Sequence, residues 1–313
     1  MRRNTVSRAW NTPALEARQL LSGGNVQAAL AGGTLTITGD SLSNEVAVEQ
    51  TSEGLRVKGL KGTRVNGAIN GAVTFANPTQ TNIQLKGGGD RLTLGGYQGG
   101  SVSVVMGSGN DQVTLAGINV PGDLVIDLGA GNDGLAAILG GVSNTTPNIV
   151  DGNVNFLGGA GNDRLIVNSL SNDGNLTLDS GAGNDVVLLG EGGTDGTSSI
   201  LLGTGNDIMA IGNRTSRGIF TLDAGAGDDL LGISGSQFAE SATFNMGAGK
   251  DALLSQNNLF QINLTRAGGT GIDTLFSSSD SIVGNNQVTG FESLPTSPAA
   301  VATLATKLAN AFI

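Results

Sequence analysis

The residues best placed to do chemistry are aspartates. One closes each of eight Gly-rich turns: Asp111 in MGSGND, Asp133 in LGAGND, Asp163 in GGAGND, Asp185 in SGAGND, Asp207 in LGTGND, Asp229 in AGAGDD, Asp251 in MGAGKD and Asp273 in GGTGID. A degenerate copy, KGGGD, ends at Asp90, and from there the gaps between turn aspartates are 21, 22, 30, 22, 22, 22, 22 and 22 residues. If the turns stack, bare carboxylates about 4.8 Å apart repel by roughly 0.9 kcal/mol in water. A divalent cation between them turns that repulsion into binding. Ca²⁺ accepts ~6–8 oxygens, backbone carbonyls included, in loose geometry, whereas Mg²⁺ keeps its waters and wants an octahedron. The same aspartates can instead bond turn backbone as Asx-turns with Asn ladders alongside, which needs no ion. Asp127, Asp179 and Asp223 sit six residues before a turn aspartate, point away from the core and are expected to thicken the acidic edge.

Other chemistries are poorly supplied. The 313 residues contain no Cys and no His, which removes disulfides, thiol nucleophiles, Zn or haem ligation through those residues, and any imidazole base. Net charge is −10, and four arginines (Arg2, Arg3, Arg8, Arg18) crowd the first eighteen residues, so the remaining body is more acidic still. Phosphate backbones demand a basic face, so nucleic acid is excluded as a partner. No apolar run reaches the ~18 residues of a membrane span. A polysaccharide lyase or hydrolase is the rival reading, with Arg91 beside Asp90, Arg164 beside Asp163, and Arg214 with Arg217 as candidates. Trp10 and Tyr97 are the only Trp and Tyr, too few for the aromatic platforms of a sugar cleft, and no catalysis is expected.

The elements that position the aspartates follow from the period. Val113/Leu115, Leu165/Val167, Val187/Leu189, Met209/Ile211 and Leu231/Ile233 lie two and four residues after a turn aspartate, and Leu124/Ile126 and Leu176/Leu178 alternate before one. Period two marks a strand with one buried face. Each 22-residue unit then reads strand, Gly turn, strand, return loop, with no room for a helix. Stacking such units predicts an all-β, parallel β-helix (β-solenoid), right-handed, of about twelve coils and roughly 55 Å at the sheet spacing. One gap carries eight extra residues within 138–152, the one place where a cleft wall can rise.

The expected organisation is a leader over 1–23, the solenoid over 24–290 and a C-terminal segment over 291–313. Asn44 lies 46 residues before Asp90, close to two periods, so two coils are expected there. Ser297-Pro298 opens a helix whose Val301, Leu304, Leu308 and Phe312 share a face, expected to shield the last coil's open edge. The third residue after each turn aspartate runs Thr114, Ala136, Ile166, Leu188, Ala210, Gly232, Leu254, Phe276. That outward row is no Thr ladder for ice. It is apolar enough for a partner, for self-association or for a covering segment.

The turns resemble the G-G-x-G-x-D-x-U-x pattern of RTX-type, haemolysin-type calcium-binding repeats, matched in full by GGAGNDRLI at 158–166 and GGTGIDTLF at 268–276. In that family calcium sits between stacked turns, held by Gly-region carbonyls and Asp carboxylates. The resemblance implies Ca²⁺ at the turn aspartates. Here one motif per 22 residues, rather than two per coil, implies a wider coil with a single ion row. Leu15-Glu16-Ala17-Arg18-Gln19-Leu20-Leu21-Ser22-Gly23 resembles the leader of exported planctomycete-type surface proteins and implies an extracellular or cell-surface location. The expectation is therefore an exported, structural or adhesive solenoid. Calcium ions are its expected ligand, a surface polysaccharide or protein a further possible partner, and an ion-free scaffold the alternative.

Overall fold

A computed structural model describes residues 23–140, 145–292 and 298–311. Residues 1–22 of the leader, Trp10 among them, lie outside the described residues. The chain winds into a β-solenoid of about nine turns at a period near 22 residues. Three parallel sheets form its walls, and from Ser101 on each coil contributes one strand to each. In the coil of Asp185 these are Leu176–Asp179, Val186–Leu189 and Gly192–Thr194. Most strands pair with residues 22 positions on, as in Leu176↔Ser198 and Val187↔Met209, and the strands that flank the insertion pair 30 positions on, as in Leu124↔Val154.

The alternation seen in the sequence sets the faces. Leu124, Ile126, Leu176 and Leu178 point inward from the first sheet, Leu165, Val167, Val187 and Leu189 from the second, and all are at most 1% exposed. Their outward neighbours, such as Thr177 and Leu188, are half-buried. One continuous core results. Its later coils are filled by Phe220, Phe238, Phe244 and Phe260, with Phe238 and Phe260 stacked at 4.9 Å. Beside the insertion, Gly140 and Thr146 bond each other's backbone at 2.8 and 3.0 Å, and residues 141–144 lie outside the described residues.

The N-terminal end departs from the expected stack. Asn44 and Asp90 are stacked neighbours, not two laps apart, because the Asn44 N–H donates to Asp90 Oδ1 at 2.6 Å. The surplus residues build antiparallel strands instead. Gly54–Gly59 pairs with Glu45–Thr51, Ala72–Phe75 pairs with Gly54–Gly59, and Asn25–Ala31 pairs with Thr34–Thr38. These strands extend two sheets beyond the first parallel rung and close the rod's N-terminal edge. The twelve coils expected from length become about nine for this reason, and the rod shortens to roughly 43 Å at the ~4.8 Å spacing.

The helix α1 (Pro298–Asn310) is present but does not cap the last coil. It lies on the outer face of the second sheet, where Val301, Leu304 and Leu308 pack with Leu230, Ala252, Leu254, Ile208 and Phe276. The C-terminal stretch of the outward apolar row, Gly232, Leu254 and Phe276, is thus covered by the chain's own C-terminal segment. Gly232 makes room for it: a Cβ there would meet Leu308 Cδ2 at 2.1 Å. Arg164 Nη1 donates to the Ala311 carbonyl at 2.6 Å and ties down the far end. At the C-terminal end the core turns polar. Arg266 takes the inward position held by Phe244 one coil earlier, and Asp280 accepts from Ser255, Ser277 and Asn258. No described helix is long and apolar enough to cross a membrane.

Candidate functional site: the turn-aspartate row

The structure gathers the turn aspartates into one row at the corner between the first and second sheets. Asp90, Asp111, Asp133, Asp163, Asp185, Asp207, Asp229, Asp251 and Asp273 are all buried, none more than 4% exposed. Each backbone N–H from Asp90 to Asp251 donates to Oδ1 of the aspartate in the following coil, at 2.7–2.9 Å. Asn44 starts the ladder, and Glu292 ends it by accepting the Asp273 N–H at 2.8 Å. The side chain therefore bonds a neighbouring coil, not its own turn.

A second ladder runs beside the first with opposite polarity. The N–H groups of Asn132, Asn162, Asn184 and Asn206 donate to the Asn Oδ1 of the preceding coil at 2.6–2.9 Å, and Asp228 and Lys250 continue the line. The Asn row is exposed and the Asp row buried, because consecutive residues face opposite sides of the corner.

Glycine is required here by contact as well as by conformation. Gly161 has φ +140, and a Cβ would lie 1.5 Å from the Gly131 carbonyl oxygen. The turns consequently stack as closely as the sheets, bridging Ala130 to Ala160 and Ala160 to Ala182. In these bridges the Ala160 N–H donates to the Gly129 carbonyl at 2.9 Å, and the Gly161 N–H donates to the Ala182 carbonyl at 2.7 Å.

What the ladder leaves free is the second carboxylate oxygen. Oδ2 of all nine aspartates is buried without a hydrogen-bond partner. It points toward the residue five positions earlier: the absent Cβ of Gly158 would lie 2.9 Å from Asp163 Oδ2, and that of Gly268 2.9 Å from Asp273 Oδ2. In other coils that position holds Leu128, Leu202, Ala224 or Met246, an apolar wall, and in the coil of Asp185 it holds the buried Ser180. Loss of solvation on burial pushes the carboxyls up, to about 7 at Asp90, Asp185 and Asp229 and to about 6 at Asp133, Asp207 and Asp251. Asp111 and Asp163 are raised for the same reason, and at each of these eight the donated N–H opposes the rise.

Asp127, Asp179 and Asp223 do not join this row. They lie on the outer face of the first sheet, where Asp127 is in register with Leu157, Leu157 with Asp179, Asp179 with Leu201 and Leu201 with Asp223. Leucines separate them, two coils or roughly 9.6 Å apart, so the expected thicker acidic edge does not form. The arginine candidates are also dispersed. Arg91 and Arg164 are exposed while their neighbours Asp90 and Asp163 face inward, Arg217 pairs with Asp195, and Arg214 is buried in the third sheet. Sequence reasoning placed the row but missed Glu292, which carries no motif, and the side on which the carboxylates lie.

A scan against protein-family models finds no match, and searches of curated proteins and of solved structures find none either.

Proposed function

We propose that this chain is a structural rod of the exported, cell-surface kind, in which the turn aspartates lock each coil to the next. The observation that carries this reading is the unbroken chain of Asp N–H to Asp Oδ1 bonds over eight consecutive intervals. A buried carboxylate that accepts an amide proton from the neighbouring coil is a joint, and repeating it stiffens the stack. The surface location rests on the leader-like segment at 15–23. No catalytic step is part of the proposal, since no arginine candidate shares a site with two carboxylates. Neither polyuronates nor glucans should lose reducing or unsaturated ends to the protein.

The row of free Oδ2 atoms favours calcium as a second reading. Nine buried carboxylates in single file need protons or cations to balance them. Asp90, Asp111, Asp133, Asp163, Asp185, Asp207, Asp229, Asp251 and Asp273 would hold Ca²⁺ through Oδ2, and the ion would supply charge neutralisation. Donor count weighs against a full shell. Oδ1 and two of the turn carbonyls already accept N–H groups, so only one oxygen of each carboxylate is free toward the ~6–8 oxygens calcium takes. Thermal unfolding with millimolar Ca²⁺ and with chelator separates the readings. An unchanged melt leaves the ion-free rod. A melt that rises with Ca²⁺, and is blunted by Asp185→Asn and Asp207→Asn, establishes the ion row.

A further inference from the structure

The third sheet holds a buried cation that the aspartate row does not use. Arg214 opens the strand Arg214–Ser216, faces the lumen and is 2% exposed. Its register partner one coil earlier is Gly192, which brings no side chain. The guanidinium extends through that space: Nη2 donates to Thr194 Oγ1 at 2.9 Å and Nη1 to the Leu170 carbonyl at 3.4 Å. A guanidinium carries five N–H donors, and Nε is buried with no partner. Among the described residues no carboxylate lies within ion-pair distance of Arg214. Burial lowers its pKa only to about 10, so it is cationic at neutral pH.

Its surroundings are donors rather than acids. Asn172, Thr194, Ser198 and Ser216 are each at most 2% exposed. Thr194 Oγ1 donates to Asn172 Oδ1 at 2.9 Å and accepts from Arg214, so its proton is already committed. Ser198 and Ser216 hydroxyls face each other at 3.5 Å, and Ser216 Oγ reaches the Gly218 carbonyl only at 3.4 Å. Both distances are too long for strong bonds, which leaves hydroxyl protons to give. A lone buried guanidinium with no carboxylate partner needs a counter-charge of negative sign, and Ser216, two residues on along the same inward-facing strand and in register with Thr194, is the nearest further hydroxyl the strand presents. The closed lumen favours a small, weakly hydrated anion over sulfate or phosphate.

We propose that Arg214 anchors an internal site for a small monovalent anion of the halide class, with the Ser198 and Ser216 hydroxyls as further donors. Crystals of the full chain grown in sodium bromide should show an anomalous bromine peak at hydrogen-bond distance from Arg214 Nε. The same protein should melt about 2–4 °C higher in sodium chloride than in sodium gluconate of equal ionic strength, saturably. Arg214→Met keeps the length, removes the charge and should abolish that difference. Water alone beside Nε in the bromide crystal overturns the proposal. Equal melts of the wild type in the two salts overturn it as well, even with a bromide peak, since that is binding at crystal concentration only. If Arg214→Met does not fold, the two wild-type measurements decide.

Discussion

Asp229→Asn isolates the cost of a charge inside the ladder. The Asp229 carboxyl accepts the Asp207 N–H through Oδ1 at 2.8 Å and leaves Oδ2 buried and unbonded. An amide keeps the accepting oxygen and the volume but carries no charge. Burial first, then the neighbouring Asp207, Asp251 and Asp228 carboxylates, raise this group from 3.8 to about 7 against the bond that lowers it. Three pKa units at ~1.4 kcal/mol each set a ceiling of about 4 kcal/mol on what ionised Asp229 takes from stability. The amide's own buried N–H groups give back roughly 1–3 kcal/mol. A gain of about 1–2 kcal/mol is expected at pH 8, turning into a loss of about 1–2 kcal/mol at pH 4.5, where the native carboxyl is already neutral and the amide's cost remains. Denaturant unfolding of both proteins at the two pH values measures it. Equal effects at both, or a loss confined to pH 8, would refute the claim that the row is charged and desolvated.

The row's direction of titration extends to the whole protein. An acid whose folded pKa is raised stabilises fully below its unfolded value near 4 and loses that stability as pH climbs through 6–7, so the melting temperature should fall from pH 5 to pH 8. A melting temperature that rises over that range contradicts the burial argument. Gly161→Ala sets a Cβ 1.5 Å from the Gly131 oxygen at φ +140 and should cost ~4 kcal/mol or more, whereas Gly212→Ala meets nothing within 4 Å and should stay within about 0.5 kcal/mol. Unfolding curves of the pair test whether turn stacking or glycine content matters. Leu308→Asp should release α1, cost about 1–2 kcal/mol of partly buried apolar contact and increase binding of a hydrophobic dye at Leu254 and Phe276. Unaltered dye binding would mean that α1 does not shield this face.

The solenoid was legible because its signal is periodic. Leu165/Val167 and Val187/Leu189 repeat at the coil length, and one residue of slippage would turn every such pair outward. The N-terminal coils were misread because 46 residues happen to approximate two periods. Only pairing could reveal that Gly54–Gly59 and Ala72–Phe75 run antiparallel. The helix was found from its Ser-Pro start, but not its place, since what it covers is a row assembled from four coils. The site was half legible. Spacing put the aspartates in register, while the side on which they lie depends on the φ of Gly159 and Gly161, which composition does not encode. Arg214 shows the same limit: a loop arginine by its neighbours, a lumen residue by its register with Gly192.

Amide hydrogen exchange at the turn aspartates tests the ladder most directly. The N–H groups of Asp111, Asp133, Asp163, Asp185, Asp207, Asp229 and Asp251 should exchange as slowly as those of Leu165 and Val187 in the adjoining strands, because each is donated to a buried carboxylate of the next coil. Exchange at the rate of solvent-exposed turns would mean that the carboxylates do not join the coils.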